Sequence, residues 1–233
     1  MRINQIFSHR RMALLSYLAT KAKNKETKVG TLNELSETLH LSTASLREQL
    51  EVARILGMVD IKPGKGISLN SFSLRPAIRY SVGYAIAIDP AEFFTFSDLR
   101  NHIEAAYWHQ AVTLLTDQDF QKLEQIIQIA NDKLEDVPIK IPHLEHRELH
   151  LILFSRLGNP FVNGILEAFW ELYEVVGFDL YSDYVYLKEV WQYHEKIVDA
   201  IGRDDYDAGY RYLLEHTDFL NKRTKTNYNQ LFE

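Results

Sequence analysis

Residues 31–69 read TLNELSETLHLSTASLREQLEVARILGMVDIKPGKGISL, and this stretch decides the fold. Leu32, Leu35 and Leu39 recur at helical spacing, and a tight polar turn closes their segment. Ser42 then stands where a helix N-cap belongs, with Ser45 in the first turn. Leu46, Leu50, Ala53 and Leu56 give a second apolar stripe, which Gly57 ends because it is free to adopt positive φ. Residues 58–61 and 67–69 alternate as two short strands, with the PGKG of 63–66 turning between them. Helix, turn, helix and a two-stranded wing is the layout of a winged helix-turn-helix, whose second helix enters the major groove of DNA.

On these residues the segment 41–69 resembles the DNA-binding half of GntR-type transcription regulators. Their recognition segment has the form Ser-Arg-x-Pro-Val-Arg-Glu-Ala-Leu, followed by Leu-x-x-x-Gly-Leu-Val and a Gly-x-Gly wing tip. Ser42, Arg47, Glu48, Leu50, Gly57, Gly64 and Gly66 match it. Thr43 replaces the first arginine, Ser45 the proline, and Asn33 a basic residue before the first helix's Glu-Leu. Loss of two cations weakens phosphate and guanine contacts, so the operator preference need not follow the family's. The resemblance implies that Asn33, Ser42, Thr43, Ser45 and Arg47 face double-stranded DNA, with Lys65 and Gly66 approaching it from the wing. Read without it, Ser42 is equally a plain helix cap and Arg47 a solvated helix position.

Charge is divided unevenly along the 233 residues. Residues 1–70 hold 11 Lys+Arg against 6 Asp+Glu, whereas the whole chain has a net charge of −6. A basic small domain joined to an acidic larger one suits a DNA reader carrying a sensor, although surface variation alone could produce the same contrast. With no cysteine, neither a disulfide framework nor a thiolate metal site is available. The opening MRINQIFSHRRM has no apolar signal core, and no apolar run approaches membrane-spanning length. A cytoplasmic protein with no membrane association is expected.

Outward from the winged helix, residues 6–23 read as a helix packed behind it and 24–30 as a polar loop. Residues 71–79 look like a connector, with Pro76 placed where a helix can begin. Helical patterns follow over 91–115, 117–134 (after an Asp cap), 143–157, 160–176, 184–201 and 204–221. Strand signals are almost absent there, so the larger part is expected to be an antiparallel helical bundle. Phe93, Phe94, Trp108, Phe169, Trp170, Tyr173 and Trp191 read as its core.

Four histidines in that bundle carry the candidate chemistry. His146 and His150 are four apart and project from one helix face. His194 and His216 fall within about one turn of level in the last two helices, so an antiparallel pair can bring them together. Each could also be a surface or hydrogen-bonded core histidine; together they could hold zinc, nickel or a similar ion.

The region 98–220 resembles the FCD effector domain, the helical C-terminal domain of the FadR-like branch of GntR regulators. Asp98-Leu99-Arg100-x3-Glu104, His146 to His150, Gly158-Asn159-Pro160, His194 to Ile201 and Glu215-His216 carry the likeness. Many FCD domains are thought to hold a divalent metal with one Asp and three His. By position His150, His194 and His216 match the histidines, His146 takes the aspartate's place and Leu149 replaces a phenylalanine. The resemblance therefore implies a metal cofactor on all-nitrogen ligands, zinc or nickel rather than a hard cation. It also implies effector contacts from Arg100, by pairing with a small carboxylic acid, and from Asn159. An ion pair to Glu104 and ordinary turn chemistry are the alternatives for these two.

The expected architecture is mainly α: a winged helix-turn-helix at 1–70, a connector at 71–90, an FCD-like effector and dimerisation bundle at 91–225 and a tail at 226–233. The implied function is a ligand-responsive regulator, a repressor, that binds a palindromic operator as a homodimer. A regulator whose signal is the metal itself is the alternative. A metal-dependent enzyme is disfavoured, since HExxH is absent and Glu-x-x-His pairs are missing at these histidines.

Overall fold

The computed structural model describes residues 12–62, 66–176 and 184–231. The chain divides into two compact units, residues 1–77 and 78–233.

In the first unit, α1 (Ala13–Lys23), α2 (Leu32–Leu39) and α3 (Thr43–Ile55) pack with a small sheet. Thr31 opens α2 with a capping box: its hydroxyl accepts from Glu34 N while Glu34 Oε2 accepts from Thr31 N. Ser42 Oγ accepts from Ser45 N at 3.2 Å and so caps α3. Gln49 on α3 is buried, and its Oε1 accepts from Leu14 N at 3.0 Å, satisfying an orphan donor in the first turn of α1. Leu14, Leu18, Leu35, Leu46, Leu50, Ala53 and Val59 form the core. Gly57 has φ +72, and a Cβ there would lie 2.8 Å from Pro76 Cγ, so both backbone and space demand glycine.

The sheet has three strands, not two. β2 (Val59–Lys62) and β3 (Gly66–Leu69) pair antiparallel with Ile61 opposite Ile67, and β1 (Lys28–Gly30) adds to the other edge of β3. The polar segment expected as a loop therefore ends in a strand. Three residues carry no usable alternation, and only pairing with a distant strand makes KVG extended. Lys65 and the wing turn at 63–65 lie outside the described residues, as do residues 6–11 of the expected first helix.

The second unit is helical among the described residues. α4 (Arg75–Ile88) begins at the unit boundary and occupies most of the expected 71–90 connector. It is followed by α5 (Glu92–Val112), α6 (Asp117–Glu135), α7 (His143–Phe154), a 3-10 turn at Ser155–Leu157, α8 (Pro160–Val176), α9 (Tyr184–Gly202) and α10 (Tyr206–Leu231). The cap of α6 is Thr116 with Asp119 completing the box, rather than an aspartate cap. α10 continues through most of the expected 226–233 tail. Trp108, Trp170, Phe93, Phe154 and Phe169 are almost fully buried, with Phe93 stacked on Phe169 at 5.7 Å. Trp108 also donates from Nε1 to Tyr206 O at 2.8 Å, tying α5 to the start of α10. No described helix is long and apolar enough to cross a membrane.

Candidate metal centre

His146 and His150 lie on the buried face of α7 with Leu149 and Leu153, α9 contributes His194, and α10 contributes His216. His150, His194 and His216 have no exposed surface, and His146 retains only 6%. One ring nitrogen from each lies within 4.8 Å of the other three. His150 Nε2 and His194 Nε2 are 3.3 Å apart. That one separation is what two nitrogens bound to a single zinc ion at about 2.0–2.1 Å show when held tetrahedrally, roughly 3.3–3.4 Å, and the wider 4.8 Å bound on the set does not fix a tetrahedron. The structure thus brings all four expected ligands together.

Burial first, then the neighbouring imidazoles and Arg100, push His146, His194 and His216 well below the usual imidazole range. They are neutral at pH 7, the form that donates a lone pair. His146 Nε2, His194 Nδ1 and both ring nitrogens of His216 have no hydrogen-bond partner. An unpaired buried polar group costs about 1–3 kcal/mol, so a protein-only role for this cluster is energetically poor. A cation accepting these lone pairs fits. The all-imidazole set suits zinc or nickel and suits magnesium poorly.

Glu104 and Arg100 sit one turn apart on α5, beneath the cluster. Arg100 Nη1 donates to Glu104 Oε2 at 2.8 Å, and the guanidinium lies over Phe169, 4.4 Å from the ring centroid. Burial raises the Glu104 carboxyl, but Arg100 and His150 outweigh it and bring it down to about 2. As an ionised acceptor, Glu104 Oε1 takes the Nδ1 proton of His150 at 3.1 Å. That assigns the tautomer and leaves His150 Nε2 to face the other histidines. Glu104 was legible in the sequence only as a possible ion-pair partner of Arg100. Its contact with His150 links residues 46 apart and leaves no local pattern.

The two expected effector residues each have partners within the chain, and Arg100 Nε is buried without one. Arg100 is 2% exposed and paired with Glu104, the ion-pair arrangement rather than an open guanidinium. Asn159 Oδ1 accepts from Phe161 N and Val162 N at the start of α8, which is turn chemistry. Beside His146 a narrow cleft is walled by Pro142, Tyr173, Leu187, Val190 and Trp191. It measures about 10 Å³, the room of one water molecule, and neither lysine nor arginine lines it.

In the first unit, Asn33, Thr43 and Arg47 are exposed, Ser45 is half-buried and Ser42 is an exposed cap. Arg47 makes no ion pair among the described residues. Gly66 is exposed with φ +81 and open space where a Cβ would stand. Lys65 lies outside the described residues.

Residues 96–219 match the FCD domain family. The chain is 28% identical over 200 residues to an uncharacterized HTH-type transcriptional regulator, YcbG, of Bacillus subtilis strain 168, covering 84% of this chain and 80% of the relative. Among solved structures, Streptococcus agalactiae GntR superposes with a TM-score of 0.69 at 17% identity, covering 92% of this chain and 99% of the other. E. coli McbR/YncC gives a TM-score of 0.50 at 17% identity, with 97% and 96% covered. At those identities the two structures speak for the fold alone.

Proposed function

Since the chain belongs to the GntR family of transcription regulators and carries the FCD effector domain, we propose that it represses transcription as a homodimer on a two-fold symmetric operator and is switched through its histidine centre. The convergence of four buried, neutral imidazoles carries this reading. His146, His150, His194 and His216 would hold a divalent ion of the zinc or nickel class, which supplies a fixed positive charge joining α7, α9 and α10. Glu104 orients His150 through Nδ1, and Arg100 keeps Glu104 ionised. Arg100 meets Glu104 through Nη1 alone, and its buried Nε has no partner, which leaves a donor for a carboxylic acid effector.

At the DNA end, α3 offers Thr43 and Arg47 to the groove, Arg47 being the residue for a base or phosphate contact. Ser42 and Ser45 are partly committed to the helix cap. For dimerisation, α4 presents Tyr80, Tyr84 and Ile88 one turn apart, at 52%, 71% and 68% exposure. Such an apolar stripe suits a second copy of the chain, and an isologous dimer imposes two operator half-sites.

Selection of fragments from the source genome on the full-length protein, with and without a chelator, tests this reading. A recovered motif with dyad symmetry supports it. Binding that is wholly sequence-independent and lost with salt overturns it.

A further inference from the structure

We propose that Gln49 is a positioning residue for DNA: it holds Ser45 so that the serine hydroxyl stands as a fixed, uncharged donor to one phosphate of the DNA backbone. This rests on the DNA-reading role given above to α3, and it names a contact that neither Thr43 nor Arg47 supplies.

The direction of the hydrogen bonds follows from a backbone N–H. Leu14 N can only donate, and it donates to Gln49 Oε1 at 3.0 Å. That settles which end of the amide is oxygen, so Nε2 is the end that donates to Ser45 Oγ, one turn back on α3, at 3.4 Å. Ser45 Oγ therefore accepts from within the protein, and its one proton is directed to a partner outside this chain of bonds. The chain is polarised from the start of α1 to the hydroxyl, and each bond strengthens the next. The Ser45 backbone is held as well, since its N–H donates to the Ser42 cap.

The surroundings suit a phosphate oxygen. Gln49 is 7% exposed, whereas Ser45 is half-buried at a hollow of about 360 Å³ lined by α1 and α3. Ser45 lies in the first turn of α3, where the helix dipole and the first-turn N–H groups favour an anion. Glu48 lines the same hollow and repels an anion that goes deeper, which keeps the contact at the Ser45 end. At about 100° per residue, Thr43 and Arg47 lie on the far side of the exposed face. One edge of α3 thus meets the backbone while the other meets base edges.

Both residues depart from the GntR pattern, which has proline where Ser45 stands and alanine where Gln49 stands. Neither proline nor alanine could form this link. With Thr43 in place of the pattern's first arginine, the chain exchanges a cationic contact for a neutral one.

The test uses the full-length protein. Because a phosphate contact carries no sequence information, it uses both random-sequence DNA and a fragment selected by the protein from a random pool. Ser45→Ala is expected to lower affinity about 3–10-fold on both, with the dependence on salt unchanged, since an uncharged donor neutralises no phosphate. Gln49→Glu at pH 8 keeps the acceptor for Leu14 N but offers Ser45 no proton, so the hydroxyl turns inward to the carboxylate. The added charge repels DNA in either background, so the link is read from the double-mutant cycle. Gln49→Glu should cost at least about threefold more when Ser45 is present than in Ser45→Ala. Single methylphosphonate substitutions along the selected fragment locate the phosphate: one position per half-site should cost the wild type about 3–10-fold more than Ser45→Ala. An additive cycle, a Ser45→Ala effect confined to base preference, or no phosphate with that coupling overturns the proposal. If Gln49→Glu fails to fold by circular dichroism, Ser45→Ala and the methylphosphonate scan decide it. A pool that yields no preferred fragment overturns the operator reading instead, and the cycle on random-sequence DNA still decides for or against Gln49.

Discussion

At the residue scale, the buried carboxylate beneath the four histidines shapes the candidate centre as much as they do. Glu104 fixes the His150 tautomer and places the nearest negative charge to the site. Glu104→Gln keeps the shape but removes that charge, and loss of such an outer partner costs on the order of 10–100-fold in metal affinity. Competition against a chromogenic chelator measures it, and an unchanged affinity would show that His150 is oriented without Glu104. Acid sensitivity follows from the same groups. His146, His194 and His216 have folded pKa values below their ordinary 6.5, so without metal the unfolded chain binds more protons below that pH. Their stabilisation is complete above pH 6.5 and declines as pH falls beneath it. Glu104, ordinarily near 4.5 and lowered to about 2, adds a further loss between those values. The melting temperature of chelated protein should therefore drop in two acid steps, the first just under pH 6.5, and saturating Zn2+ should displace that first step to lower pH. The grouping of the four histidines was legible because imidazoles at i, i+4 and at matched heights in adjacent helices are a local count. Glu104 and the aromatic wall were not, because burial and partners across helices have no periodicity of their own.

At the element scale, the packing of α10 on α5 and of α9 on α6 is set by two absent side chains. A Cβ at Gly209 would lie 2.7 Å from Trp108 Cζ2, and one at Gly202 would lie 2.5 Å from Phe120 Cζ. Trp108 cannot yield easily, being fully buried and hydrogen-bonded to Tyr206 O. Gly209→Ala sets two effects against each other. Alanine gains about 1 kcal/mol of helix propensity. Overpacking a tight core costs about 1–3 kcal/mol. With an approach this close the second effect should win, giving a net destabilisation of about 1–2 kcal/mol in urea titrations. A neutral or stabilised variant would mean that α10 can move off Trp108. The helices with caps and long apolar stripes were readable, and α8 carries the expected limits of 160 and 176. α4 was not: RPAIRYSVGYAIAI has glycine and β-branched residues inside it, and Ile86 is its one buried residue, so propensity and periodicity both understate it. β1 is legible only to β3.

At the scale of the whole molecule, that weakly buried helix gains a meaning that its sequence alone could not give. A 14-residue helix that buries so little of its own apolar surface leaves Tyr80, Tyr84 and Ile88 on the outside. Exposed apolar stripes of this kind ordinarily mark an interaction surface, and a symmetric regulator needs one to align two DNA-reading units. Replacing Tyr84 and Ile88 together by Glu puts two charges on each copy where a two-fold axis would bring them face to face. Since both side chains already stand in solvent, helix content and melting temperature should change little, whereas light scattering should report a monomer. Operator affinity should then fall on the order of 100-fold, because the second half-site is no longer held at high effective concentration. Binding to a single half-site should be unaffected. A variant that remains a dimer would move the interface to another face of the bundle, and a monomer that keeps full operator affinity would remove the requirement for two-fold recognition altogether.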